Sequence, residues 1–215
     1  MTGTRAGTAP LVPLWLKLAM TAWLLVWVPV YWVAHGPQNF LWFCDLANFV
    51  LAAALWLESP VLFSSQAIGV LLIQAAWVVD VLSRLLFGFH LIGGTAYMFD
   101  DTRPLLQRLF SLFHVAMLLL LLWGLRRFGY DPRGLKLQVA IALVVLPVSW
   151  LFGPELNLNW TWGGFGEAQE AIHPLLWLAI ASSGYLLVLC LPTHWALRRW
   201  APAARNAAAS PPTSR

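Results

Sequence analysis

Cys44 and Asp45 stand side by side near the start of an apolar run, Asn39 to Leu57, in a chain that keeps nearly every charge out of such runs. A thiol and a carboxylate are costly to bury in lipid, so this placement calls for an explanation beyond packing. A thiol is a strong nucleophile only as the thiolate, and an apolar site provides one only with a base or cation beside it. His114 interrupts a second lipid-like run, Leu109 to Leu118, and could take the proton. Asp45 or Asp80 could then hold the imidazole in the required tautomer. Asn48, one turn from Cys44, or Asn159 next to Trp160 could donate to a developing oxyanion. Together these groups suit covalent acyl transfer, with an acyl lipid entering sideways from the membrane.

Each residue also has a plainer use. Cysteine is readily buried as a small hydrophobe. Asp45 and Asp80 can pair with Arg84 or cap helix ends. His90 lies in the aromatic, Gly-rich stretch Phe87 to Gly94 and reads as interfacial. Trp15, Trp42, Trp56, Trp195 and Trp200 fall near the ends of apolar runs, as an aromatic belt requires.

The elements that must position these groups follow from composition. With 60% hydrophobic and 10% charged residues and a mean hydropathy of +0.71, the chain has too little polar surface to cover a soluble globule of 215 residues. The apolar runs are long and continuous, unlike the alternating segments of an outer-membrane barrel. The expected fold is an all-α, polytopic membrane helix bundle with six spans: Leu11 to Val33, Asn39 to Leu57, Val61 to Val79, Leu105 to Leu125, Leu137 to Phe152 and Pro174 to Trp195. The fifth is expected to be the shortest. The first is too long for a signal-peptide core, and no small-residue cleavage pattern follows it. Residues 1–200 form one expected domain, and the small, polar, Pro-rich stretch 201–215 is expected to be a disordered cytoplasmic tail.

Charge sets the expected orientation. With both ends on one side, that side carries Arg5, Lys17, Arg126, Arg127, Arg133, Lys136, Arg198, Arg199, Arg205 and Arg215, and the other carries Arg84, Arg103 and Arg108. Ten against three places both termini in the cytoplasm. The net charge of +4 then reads as a topology signal with attraction to anionic lipid as a by-product, and no nucleic acid partner is needed. At roughly 1.5 Å per residue, Cys44, Asp45 and Asn48 lie roughly 7 to 14 Å into the second span from the outer side, near the depth expected for His114. Asp80 and the last outer loop, with Glu155, Asn157, Asn159, Trp160, Glu167, Glu170 and His173, meet them in the outer half. The inner half offers only Glu58, Gln66 and Cys190 by comparison, and Cys190 is too far in depth to pair with Cys44.

Several short segments resemble a known family. Phe40-Leu41-Trp42-Phe43-Cys44-Asp45-Leu46-Ala47 is similar to the Cys-Asp segment opening the second span of bacterial six-span integral membrane proteins related to the eukaryotic transmembrane lipid acyltransferases. The androgen-induced-protein-like lipid hydrolases are more distant relatives of that group. Gln74-Ala75 with Asp80, Phe110 to His114, Gly129-Tyr130-Asp131-Pro132-Arg133 and Asn157-Leu158-Asn159-Trp160 follow in the family's order. The resemblance implies a bacterial cytoplasmic membrane, Cys44 as the acyl-accepting nucleophile and His114 as the catalytic histidine. Two differences stand out: a longer, Gly-rich loop around Leu91 to Asp101, and Cys44 where the hydrolase branch has Thr. Transferase and hydrolase outcomes both stay open, with membrane lipids as partners and no cofactor.

Two other readings stand beside this one. His90, His114, His173, Asp45 and Asp80 could ligate iron, zinc or a haem, though no close His pair occurs at helical spacing. Alternatively the outer polar cluster is the vestibule of a non-enzymatic carrier, or a helix contact within an assembly.

Overall fold

The computed structural model describes residues 11–164 and 168–204. Arg5, Glu167, Arg205, Arg215 and most of the expected tail lie outside them. Helices carry the architecture: α1 (Leu14–His35), α2 (Phe43–Trp56), α3 (Pro60–Phe87), α4 (Leu105–Phe110), α5 (Phe113–Phe128), α6 (Arg133–Trp150), α7 (Pro174–Gly184) and α8 (Leu191–Trp200). A π-helical turn, Tyr185–Cys190, joins α7 to α8. Among the described residues, five stretches are long and apolar enough to cross a membrane: α1, α3, α4 with α5, α6, and α7 through α8. The chain is a multi-pass membrane helix bundle.

The shortest of the six apolar helices is the second and not the fifth. Pro37 starts a 3-10 helix, Pro37–Leu41, and Trp42 is extended, so α2 begins only at Phe43 and spans 14 residues. In contrast, α6 gains a turn at its start and spans 18 residues. The third helix also runs past the expected Val79 to Phe87, where Gly88 at φ 79° ends it. Its polar residues Asp80 and Ser83 do not stop it, because both are buried and bonded to the loop that follows.

Polar contacts tie the helix ends into two faces. On one, Glu58 after α2 accepts from the Leu11 amide (2.8 Å) and from Lys17 Nζ (2.8 Å) at the start of α1. Arg127 Nε of α5 donates to Leu11 O (2.6 Å), and the Asp131 amide donates to Ser64 Oγ of α3 (2.9 Å). The opposite face gathers residues 36–42, 88–104, 151–164 and 168–173. Trp23 Nε1 of α1 donates to Asn48 Oδ1 (3.1 Å) and Trp56 Nε1 of α2 to Thr21 Oγ1 (3.0 Å), which makes α1 and α2 antiparallel neighbours in register.

At the centre, α3 packs against α2, α5 and α6. Phe63, Ile68, Leu51, Leu55, Leu121 and Phe128 form the buried interior. Backbones approach closely where side chains vanish, as in other membrane bundles. A Cβ on Gly134 of α6 would meet the backbone of Ser64 and Ser65 in α3. The half of the bundle that bears the chain ends is more polar than expected. Gln66 donates to Gln138 Oε1 (3.4 Å) and Ser65 Oγ (3.0 Å), and Gln138 Nε2 donates to the Tyr185 hydroxyl (2.7 Å), which in turn donates to Gly69 O (3.2 Å). Spread over three elements, α3, α6 and the π-helical turn, these residues leave no run of polar character in the sequence.

Candidate functional site

A cavity of about 540 Å³ opens between α2, α3, α6 and α7 on the face opposite the chain ends. That volume falls in the ligand-pocket range of roughly 300–1,000 Å³. Apolar side chains make most of its wall, including Phe43, Leu72, Trp77, Leu146 and Trp177. Five of the polar groups on it are Cys44, Asp80, Thr95, Asn159 and Tyr185. Phe43 lies flat on the Tyr185 ring, with centroids 4.3 Å apart and planes at 2°, which joins α2 to the π-helical turn across one side.

Cys44 reaches this wall because α2 starts where it does. The Phe43 amide, unpaired by the helix, donates to Asn159 Oδ1 (3.0 Å), and Asn159 Nδ2 donates to Leu41 O (2.8 Å) and Ser149 Oγ (2.9 Å). Asn159 thus serves as a clamp between the α6–α7 loop, α6 and the entry to α2. Holding that conformation requires left-handed backbone at Asn157, Asn159 and Trp160. Trp160 lines the cavity and its carbonyl accepts from Trp177 Nε1 (2.9 Å).

Asp80 is 1% exposed and accepts from the amides of Ile92 (2.6 Å), Gly93 (3.1 Å) and Thr95 (2.9 Å) and from Thr95 Oγ1 (2.6 Å). One carboxylate therefore satisfies three amides of an irregular segment and fixes 92–95 as a cap on the cavity, where Ile92, Gly94 and Thr95 form part of the lining. His90 Nδ1 lies 3.6 Å from Asp80 Oδ2. Asp80 serves this loop and makes no bond to His114 among the described residues.

Asp45, Asn48 and His114 are not among the residues that line the cavity. Asp45 is buried and accepts from Asn39 Nδ2 (2.5 Å), while Asn48 donates to Cys44 O (3.1 Å) and is occupied by Trp23. His114 stacks on Trp77, with centroids 4.6 Å apart and planes at 8°. Its Nδ1 lies 2.7 Å from Ser111 O. A carbonyl only accepts, so Nδ1 carries the proton and Nε2 keeps its lone pair, the tautomer a general base needs. Trp77 lines the cavity and His114 does not. No hydrogen bond joins Cys44 to His114 among the described residues.

Tyr97 and Tyr31 complete the cluster, and the sequence does not signal either, because their partners Trp77 and Ser111 lie 20 and 80 residues away. Trp77 Nε1 donates to the Tyr97 hydroxyl (3.0 Å), and Tyr31 shares a hydrogen bond with Ser111 Oγ (3.2 Å). Burial first, and then the neighbouring Cys44 and Asp45, push the Tyr97 phenol above its ordinary value, against hydrogen bonds from Ser111 and Trp77. The ligand set considered for a metal is dispersed: His173 caps α7, and no three His, Cys, Asp or Glu side chains converge among the described residues. Both cysteines are free. No known protein family, curated protein or solved structure matches this chain.

Proposed function

We propose that this protein takes an acyl lipid into the cavity beside Cys44 and that Cys44 accepts the acyl group, with both chain termini in the cytoplasm. The observation carrying the reading is the position of the thiol: on the wall of an apolar cavity large enough for a ligand, with Asp80, Thr95 and Asn159 also on the wall. An acyl chain suits the apolar wall and its ester the polar groups. In the transfer, Sγ attacks the ester carbonyl and the carbon–oxygen bond breaks. The thiol proton leaves with the departing alkoxide, and the acyl group stays as a thioester until an alcohol or water takes it. His114, in the tautomer of a base but separated by Trp77, acts once that ring or the cap moves.

The orientation rests on charge. On the face holding the start of α1 and the end of α8 stand Lys17, Arg126, Arg127, Arg133, Lys136, Arg198 and Arg199, against Arg84, Arg103 and Arg108 on the other.

A non-covalent lipid vestibule is the second reading, and the observation favouring it is that, among the described residues, no imidazole lines the cavity. Intact mass of the purified protein and of Cys44→Ala separates the two. Acyl transfer gives a hydroxylamine-labile adduct on wild type that Cys44→Ala lacks. The vestibule gives co-purifying lipid equal in both and no adduct. Absence of both lipid and adduct would overturn the cavity as a lipid site altogether.

A further inference from the structure

A second cavity, of about 520 Å³, lies on the opposite face of the bundle, between the α5–α6 turn and the end of α8. Tyr130, Asp131, Arg133, Arg198 and Ala203 are among the residues that line it. Its walls are built and not merely adjacent. The Tyr130 amide donates to Pro202 O (2.6 Å) and the Ala204 amide returns a bond to Tyr130 O (3.1 Å), so residues 201–204 are stitched to the turn. Gly129 at φ 77° makes this possible, since a Cβ there would strike the Ala203 carbonyl. The Tyr130 hydroxyl is bonded to buried His194.

Among the described residues that line the cavity, the charges leave one cation to spare. Asp131 is already satisfied by Arg133, accepting from its amide (2.9 Å), from Nε (3.1 Å) and from Nη2 (2.7 Å). Arg198, on the α8 wall, has no hydrogen-bond acceptor among the described residues, and Arg199 follows it. Trp195 and Trp200, 63% and 83% exposed, flank these arginines on the same short helix. Exposed tryptophans beside arginines mark the depth of lipid headgroups.

We propose that this cavity binds a phosphate-bearing anion, met in the membrane as the headgroup of an anionic phospholipid, with Arg198 as its principal contact. The guanidinium offers paired donors matched to phosphate oxygens. Basic pockets between membrane helices recognise headgroups in this way. The proposal is independent of the cavity at Cys44.

The test uses the full-length protein in a neutral detergent and native mass spectrometry with added phosphatidylglycerol or phosphatidylcholine. Wild type is expected to retain phosphatidylglycerol about fivefold more than phosphatidylcholine, the worth of roughly one basic contact. Arg198→Gln should lose that preference, Arg198→Lys should keep most of it, and Arg84→Gln, on the other face, should leave it unchanged. Displacement of the lipid by millimolar inorganic phosphate would identify free phosphate as a ligand, and retention would identify the headgroup with its chains. Equal binding of the two lipids by wild type overturns the proposal, even if Arg198→Gln cannot be purified. So does undiminished preference in folded Arg198→Gln.

Discussion

Asp80 shows what a single buried carboxylate can organise. Replacing it with Ala strands three amides and a hydroxyl at once, and each buried donor left unpaired costs about 1–3 kcal/mol. Asp80→Ala is therefore expected to speed hydrogen exchange at Ile92, Gly93 and Thr95 sharply, with little change in α5. Unchanged exchange there would show that the cap does not depend on this residue. Asp131 makes a second prediction, in pH. The Arg133 guanidinium beside it holds its carboxyl below the usual carboxylate range, with burial opposing the shift. A depressed folded value means that the contact stabilises above the unfolded value of about 3.9 and is lost as pH falls through the folded one. The gap in melting temperature between wild type and Asp131→Asn should be flat near neutrality and close below about pH 4. A gap that widens on acidification contradicts this. The sequence marks Asp80 and Cys44 as unusual by their setting alone, but Asp80's partners are amides twelve to fifteen residues onward and carry no signal in side-chain identity.

At the level of the helix, glycine decides how near α6 comes to α3. Gly134→Ala puts a methyl against the Ser64–Ser65 backbone, which cannot rotate aside as a side chain could. Overpacking of this kind costs about 1–3 kcal/mol. A lower melting temperature in detergent is expected, and an unchanged one would mean the helices shift freely. The apolar runs announced the helices themselves, because length and hydropathy suffice for that. Their limits were less legible. The polar residues Asp80, Ser83 and Arg84 read as an ending, yet α3 continues through them because its own loop folds back to bond two of them. The clamp at Asn159 was likewise hidden, since its partners Leu41, Phe43 and Ser149 lie far away in sequence.

For the whole molecule, the two faces should lie on opposite sides of the membrane. Asp101, exposed in the loop before α4, and Lys136, at the start of α6, are on different faces. In intact cells an impermeant thiol reagent is expected to label Asp101→Cys and to reach Lys136→Cys only after lysis. The reverse pattern would invert the proposed orientation. The brevity of α2 has a consequence of another kind. Fourteen residues rise about 21 Å, whereas a bilayer's hydrocarbon layer is about 30 Å thick. Lipids alongside this flank must compress, or headgroups and water must dip inward beside residues 37–42. Hydrophobic mismatch then makes the bilayer itself a variable: the protein should melt at a higher temperature in short-chain than in long-chain nanodiscs, and equal melting in both would show that the longer helices alone set its fit to the bilayer.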